Sequence, residues 1–229
     1  TIYYSGTSDI NSFSSTGSGS IALDDQVVGI KSFRTDLIIF CKNSIYKLEN
    51  INDSSTIAIT PITKNVGCLD GHSIQEIGGD LLFLSPDGFR LVAGTERIGD
   101  VELGSVSRQI QSVVSKIAAA IDTFTISSAV LRSKSQYRFF YSAATGSTST
   151  SKGLIGTITP NGFEWSETIG IQAHGFASGF NYSNVEKIYH GDSAGYVYNH
   201  NTGNDFNPAG VQTNINARYK TPNLDFGDA

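Results

Sequence analysis

The stretch Asp36-Leu-Ile-Ile-Phe-Cys-Lys-Asn-Ser-Ile-Tyr-Lys-Leu48 decides the fold class. Four apolar residues in a row (37–40) meet a short polar turn (41–44), and a second apolar run follows (45–48). The runs are too short for helices and are bounded by turn residues, so they read as strands. The first does not alternate apolar with polar, so both of its faces are expected to be covered.

The pattern recurs. Asp80 to Val92 gives Leu-Leu-Phe-Leu (81–84), Ser-Pro-Asp-Gly (85–88) and Phe-Arg-Leu-Val (89–92). Tyr-Arg-Phe-Phe-Tyr (137–141) is looser and returns at Gly153 to Ile158 after a Gly/Ser/Thr loop over 142–152. Lys187 to His200 closes the series around Ser193-Ala194-Gly195. The first strands start near 37, 81, 137 and 187, a spacing of about 44 to 56 residues. A period of this size built from hairpins predicts β-propeller blades. Pro86-Asp87-Gly88 and Ala194-Gly195 supply the backbone angles that hairpins demand. Thr1 to Tyr4 reads as one more strand, from a blade whose start is missing. A β-sandwich with similar hairpins is the alternative, although its strands usually follow one another more closely.

Composition agrees with an all-β chain. Of 229 residues only 16% are charged, while 24 are Gly, 13 Phe and 10 Tyr. The net charge of −5 argues against a basic face that grips nucleic acid. No run of about 18 apolar residues reads as a membrane span, so no membrane anchor is expected. The chain opens on Thr1 and holds no Met, so it is expected to be a fragment of a longer polypeptide. Cys41 and Cys68 give neither a disulfide framework nor a zinc spacing and read as buried free thiols.

Two segments break the rhythm. Val106, Ile110, Val113, Val114, Ile117 and Ile121 fall on one helical face. They predict an amphipathic helix over about 105–121, capped by Ser105 or Ser107 and packed on the rim or against a partner subunit. Residues 1–210 thus form the expected propeller region. Near the end, Val211, Thr213, Ile215, Ala217 and Tyr219 alternate with polar residues. Residues 211–229 are therefore read as a half-buried exit strand toward a further domain.

The search for chemistry yields no catalytic, cofactor-binding or metal residue and no cofactor. His190, Asp192 and His200 flank one hairpin and could ligate a metal, but strand parity does not converge them, and they read as turn and surface residues. The acid pairs Asp24-Asp25 and Glu164/Glu167 are not placed across a cleft, as a glycosidase requires. No nucleophile elbow or phosphate-cradling loop occurs. The Ser14 to Ser20 run reads as flexible loop. Ser85-Pro86-Asp87-Gly88 only superficially resembles a sialidase Asp-box turn, since its Gly comes early and Trp is absent. Trp165 reads as core or blade–blade packing rather than a sugar-stacking residue.

Several stretches together resemble one family. They are Thr1 to Phe13, Gly29-Ile30-Lys31 with the strands at 37–40 and 43–48, and His190 to Tyr198 followed by Thr202-Gly203 and Thr221-Pro222. These are similar to the β-propeller of bacteriophage tail nozzle, tail tubular protein B-like and packaged-DNA stabilisation proteins. The likeness covers roughly 1–100 and 185–229 and rests on hairpins and turns. It implies a non-enzymatic virion structural protein of the phage tail, assembled in the bacterial host cytoplasm. It further implies a homo-oligomeric ring, commonly sixfold, below the portal. Expected partners are tail adaptor or portal-proximal proteins, tail fibres, and genomic DNA held in the lumen without sequence-specific binding. An acidic, charge-poor surface suits a conduit for DNA. Two alternatives stand beside it. One is a receptor- or glycan-binding propeller using aromatic-rich turns such as Phe176 to Tyr182 to stack sugars, and the other a propeller hydrolase whose catalytic residues lie outside this chain.

Overall fold

Among the described residues, six antiparallel sheets follow one another along the chain, each made of consecutive strands. The computed structural model describes residues 1–6, 9–51, 53, 55–93, 105–143, 152–169, 171, 173–200, 202, 205–206 and 213–214. The first sheet pairs β1 (Ile2–Tyr4) with β2 (Gly19–Ile21), so the end of the Ser14 to Ser20 run is strand rather than loop. The second is a meander of β3 (Val27–Phe33), β4 (Asp36–Cys41), β5 (Ile45–Glu49) and β6 (Ala58–Thr63). The third holds β7 (Gln75–Ile77), β8 (Asp80–Ser85) and β9 (Gly88–Leu91). The fourth holds β10 (Phe124–Leu131), β11 (Gln136–Ala143), β12 (Lys152–Thr159) and β13 (Gly162–Ile169). The fifth holds β14 (Gly175–Phe180), β15 (Glu186–Gly191) and β16 (Val197–Asn199), and β17 (Asp205–Phe206) pairs with β18 (Thr213–Asn214). The all-β expectation holds.

The four hairpins are present as β4–β5, β8–β9, β11–β12 and β15–β16. Gly88 and Gly195 take φ of +143° and +88° at two of these turns, angles that a side chain would strain. In every unit, however, the strand taken as the first is the second. β3, β7, β10 and β14 precede it and pair with it.

The apolar runs are buried on both faces because sheets stack face to face. Ile39 and Cys41 of β4 pack with Ile2 and Ile21 of the first sheet. Ile38 and Phe40, on the opposite face, pack with Leu81 and Phe83 of β8, and the Phe40 and Phe83 rings lie 5.2 Å apart. Leu82 and Leu84 point the other way, to Tyr137 and Phe139 of β11. Phe140, on the far side of β11, meets Phe176 of β14 at 4.8 Å. Each such fully buried side chain contributes about 1.5–3 kcal/mol. These four face-to-face contacts therefore hold the stack together.

The expected helix is present but shorter. It consists of a 3-10 turn (Arg108–Ile110), α1 (Gln111–Ala119) and a second 3-10 turn (Ile121–Thr123). Val114 and Ile117 are buried, and Val106, Ile110, Val113 and Ile121 join the same cluster between the third and fourth sheets. Among the described residues the third sheet holds three strands. Val106 N–H donates to Phe89 O at 2.9 Å, and Ser105 bridges to Arg90. The helix follows at that outer edge. Neither serine caps it: Ser107 makes no side-chain cap bond, because its Oγ accepts from Phe89 N–H at 3.0 Å.

Apart from Thr213–Asn214, the exit strand expected over 211–219 lies outside the described residues, as do residues 144–151 of the Gly/Ser/Thr loop.

Candidate functional site

The first strands of sheets two to five share a wall. β3 runs beside the 3-10 turn Gly71–Ser73 that leads into β7, and β10 contacts both β7 and β14. Their side chains border a cavity of about 430 Å³ lined by Gly29, Lys31, His72, Gln75, Ser128 and Phe176, among others. Hydrogen bonds tie the strands across it. Gln75 Nε2 donates to Ser128 O at 3.0 Å and to Ser128 Oγ at 3.1 Å. Ser128 Oγ donates to the carbonyl of His72. Ser178 Oγ of β14 donates to Val130 O of β10 at 2.6 Å. Close approach explains the glycines here: a Cβ on Gly71 would lie 2.7 Å from Val28 O. The lining is polar and largely uncharged. It can hold small hydrogen-bonding groups, and it offers no carboxylate to a cation. A second hollow, about 480 Å³, is more apolar and lies between Ile77, Leu91, Val106, Ile158 and Phe163.

The structure brings two of the weighed metal candidates together and leaves the third apart. His190 of β15 is only 5% exposed, and its ring centroid is 4.4 Å from that of His200. His190 is thus a core-facing strand residue and not a turn or surface one, while His200 sits half-buried in the turn that follows β16. The pairing of β15 with β16 brings the two together, because His200 N–H continues the ladder to Ile188 O. Asp192 is engaged elsewhere. Its carboxylate accepts from the amides of Ala194 and Tyr196 and from the Tyr198 hydroxyl, which shapes the hairpin turn. Burial opposes that carboxylate's charge, yet these bonds prevail and hold its pKa below the ordinary range. Burial lowers the pKa of His190 and, helped by the charges of His190 and Arg138, pushes His200 down to about 3. Among the described residues, no three His, Cys, Asp or Glu side chains cluster as a metal site.

Trp165 sits in packing, stacked on Phe89 at 4.8 Å and donating from Nε1 to Val106 O at 2.8 Å. Asp25 organises a turn by accepting from Asn43 N–H at 2.7 Å and Ser44 Oγ at 2.8 Å. Both cysteines are buried and unpaired with each other. Phe176 to Phe180 is a strand and not a turn, and Phe176 packs on Phe140 and His200. Phe180 and Tyr182 remain outside, Tyr182 fully exposed.

Both ends of the stack carry exposed apolar side chains. These are Tyr3, Ile10 and Phe13 near the first sheet, and Val185, Tyr189, Tyr196 and Val197 in or beside the fifth. Tyr189 and Val197 leave the face of β15 and β16 opposite to the one that His190 occupies. No helix among the described residues is long and apolar enough to cross a membrane. No family model matches the chain, and no curated protein matches it at a significant level.

Proposed function

We propose that this chain is the β-propeller part of a non-enzymatic virion structural protein of a bacteriophage tail. In this reading it contributes to the nozzle or head-to-tail completion ring that retains DNA and conducts its ejection. One observation supports the propeller most. The opening strands β3, β7, β10 and β14 border a single cavity, and their sheets pack face to face in chain order. Blades about an axis have this relation, whereas the two layers of a sandwich do not. The resemblance of the hairpin texts to tail nozzle and packaged-DNA stabilisation proteins supports the virion role.

The open end faces fit a piece of a larger assembly, since an exposed apolar face of this kind marks a surface made to be covered. The partners proposed are further copies in a ring closed by rotation, the adaptor or portal-proximal proteins, tail fibres, and DNA in the lumen. The net charge of −5 suits a wall past which DNA slides.

Electron microscopy of the native full-length assembly, with this domain labelled, tests the proposal. The expected result is a ring on the tail axis with a continuous DNA-wide lumen. A stable lone monomer absent from virions overturns it.

Exposed Phe180 and Tyr182 favour a second reading, a receptor- or glycan-binding propeller at a tail tip or cell surface. Peripheral, off-axis propellers together with hits on a glycan array support that reading. An array without hits at high protein concentration counts against it.

A further inference from the structure

Between the fourth and fifth sheets lies an imidazole pair, His190 buried and His200 half-buried, that the tail role does not use. His190 stacks on Tyr198 at 4.8 Å, and His200 meets the edges of Phe140 and Phe176 at 6.0 and 5.0 Å. Both ring nitrogens of His190 and Nε2 of His200 are buried without a hydrogen-bond partner among the described residues. From the facing strand β11, Arg138 Nη1 lies 3.4 Å from His200 Nδ1. A guanidinium can only donate. Nδ1 is therefore the accepting nitrogen, and His200 is neutral in this arrangement.

Among the described residues, the charge of Asp192 favours a proton on His190 only in part, and burial outweighs it. β10 and β14 carry no titratable side chain. From β11, Gln136 Oε1 accepts from Arg138 Nη2. On β15, Glu186 is engaged with the amides of Arg132 and Ser133. Asp192 is the carboxylate whose charge acts on His190, and it is already bonded to turn amides and to Tyr198.

We propose that this cluster is an acid-sensitive latch. A proton taken up by His190 or His200 sets a second buried positive charge beside Arg138, and the fifth sheet parts from the fourth along this seam. Parting uncovers Phe140 and Phe176. The proposal is independent of the nozzle reading.

The sign follows from burial of the neutral rings. A histidine held below its ordinary 6.5 stabilises the closed seam fully above that value. The contribution is lost as pH falls from 6.5 toward the folded value, about 3 for His200. Each proton gained on opening raises the opening equilibrium about tenfold per pH unit.

Amide hydrogen exchange of the intact protein, corrected for intrinsic rate, tests this between pH about 7 and about 4.5. Below about pH 6.5, β14–β16 should lose protection by about tenfold or more per unit, while β4 and β8 keep theirs. The double variant His190→Phe, His200→Phe keeps aromatic packing without proton sites and should flatten that slope. Should it fail to fold, the wild-type His200 ring protons followed by NMR should titrate below pH about 5. A His200 midpoint near the ordinary value, or pH-independent protection of β14–β16, overturns the proposal.

Discussion

Tyr137 Oη donates a 2.8 Å hydrogen bond to the carbonyl oxygen of Ser73, joining strand β11 to the turn ahead of β7. Both residues are wholly buried. Ser73 is itself a junction: its Oγ donates to Asp70 O at 2.6 Å and accepts from Leu84 N–H at 3.1 Å. The third and fourth sheets thus meet through one buried polar link set among aromatic rings.

Tyr137→Phe should keep the packing and strand the Ser73 carbonyl. An unsatisfied buried acceptor costs about 1–3 kcal/mol. Urea unfolding should show a lower midpoint with an unchanged slope. An unchanged midpoint would refute the link.

The same junction shows what could be read from the residues. Runs such as Leu81 to Leu84 announced two covered faces, and each was found covered on both. The strands β3, β10 and β14 gave no such signal. Val-Val-Gly-Ile-Lys-Ser-Phe, Phe-Thr-Ile-Ser-Ser-Ala-Val-Leu and Gly-Phe-Ala-Ser-Gly-Phe are weakened by small and polar residues. Those residues stand where opening strands crowd one another, so the composition that hid the strands is what their position requires. The meeting of His190 with His200 was hidden for another reason. It depends on the β15–β16 register, which no spacing along the chain reveals.

Arg90 is 1% exposed and pairs with Asp87 of its own hairpin turn. Burial alone would raise the Asp87 pKa, but hydrogen bonds from Arg90 and Ser85 outweigh it and hold it below the ordinary 3.8. Its stabilisation is therefore present above that value and lost as pH falls through the lowered one. Asp87→Asn should cost about 1.5–3 kcal/mol at neutral pH, the range for a hydrogen bond to a charged group. Thermal melts across pH should also show that the variant has lost this acid-dependent portion.

Burial pushes the Cys68 thiol up to about 12 and raises that of Cys41. The thiolate is the reactive form, so neither cysteine should react with a disulfide reagent in the native protein. Both should react fully in denaturant. Rapid labelling of either under native conditions would contradict the closed packing between the first three sheets.

Trp165 offers the last check, because one side chain separates packing from sugar recognition. Its ring stacks on Phe89 at 4.8 Å and on Phe163 at 5.8 Å, and its Nε1 is spent on Val106 O. Gly156 leaves room for it, since a Cβ there would come within 2.9 Å of the indole. Trp165→Phe should retain much of the stacking and lose the hydrogen bond, at about 1 kcal/mol. Trp165→Ala should cost about 3 kcal/mol, the lower end for a large aromatic because the indole is half-buried. As the single tryptophan, it reports on itself: native emission should be blue-shifted and should move to the solvated value only on unfolding. A sugar that shifts this emission without unfolding the protein would place Trp165 in a binding face and revive the glycan reading.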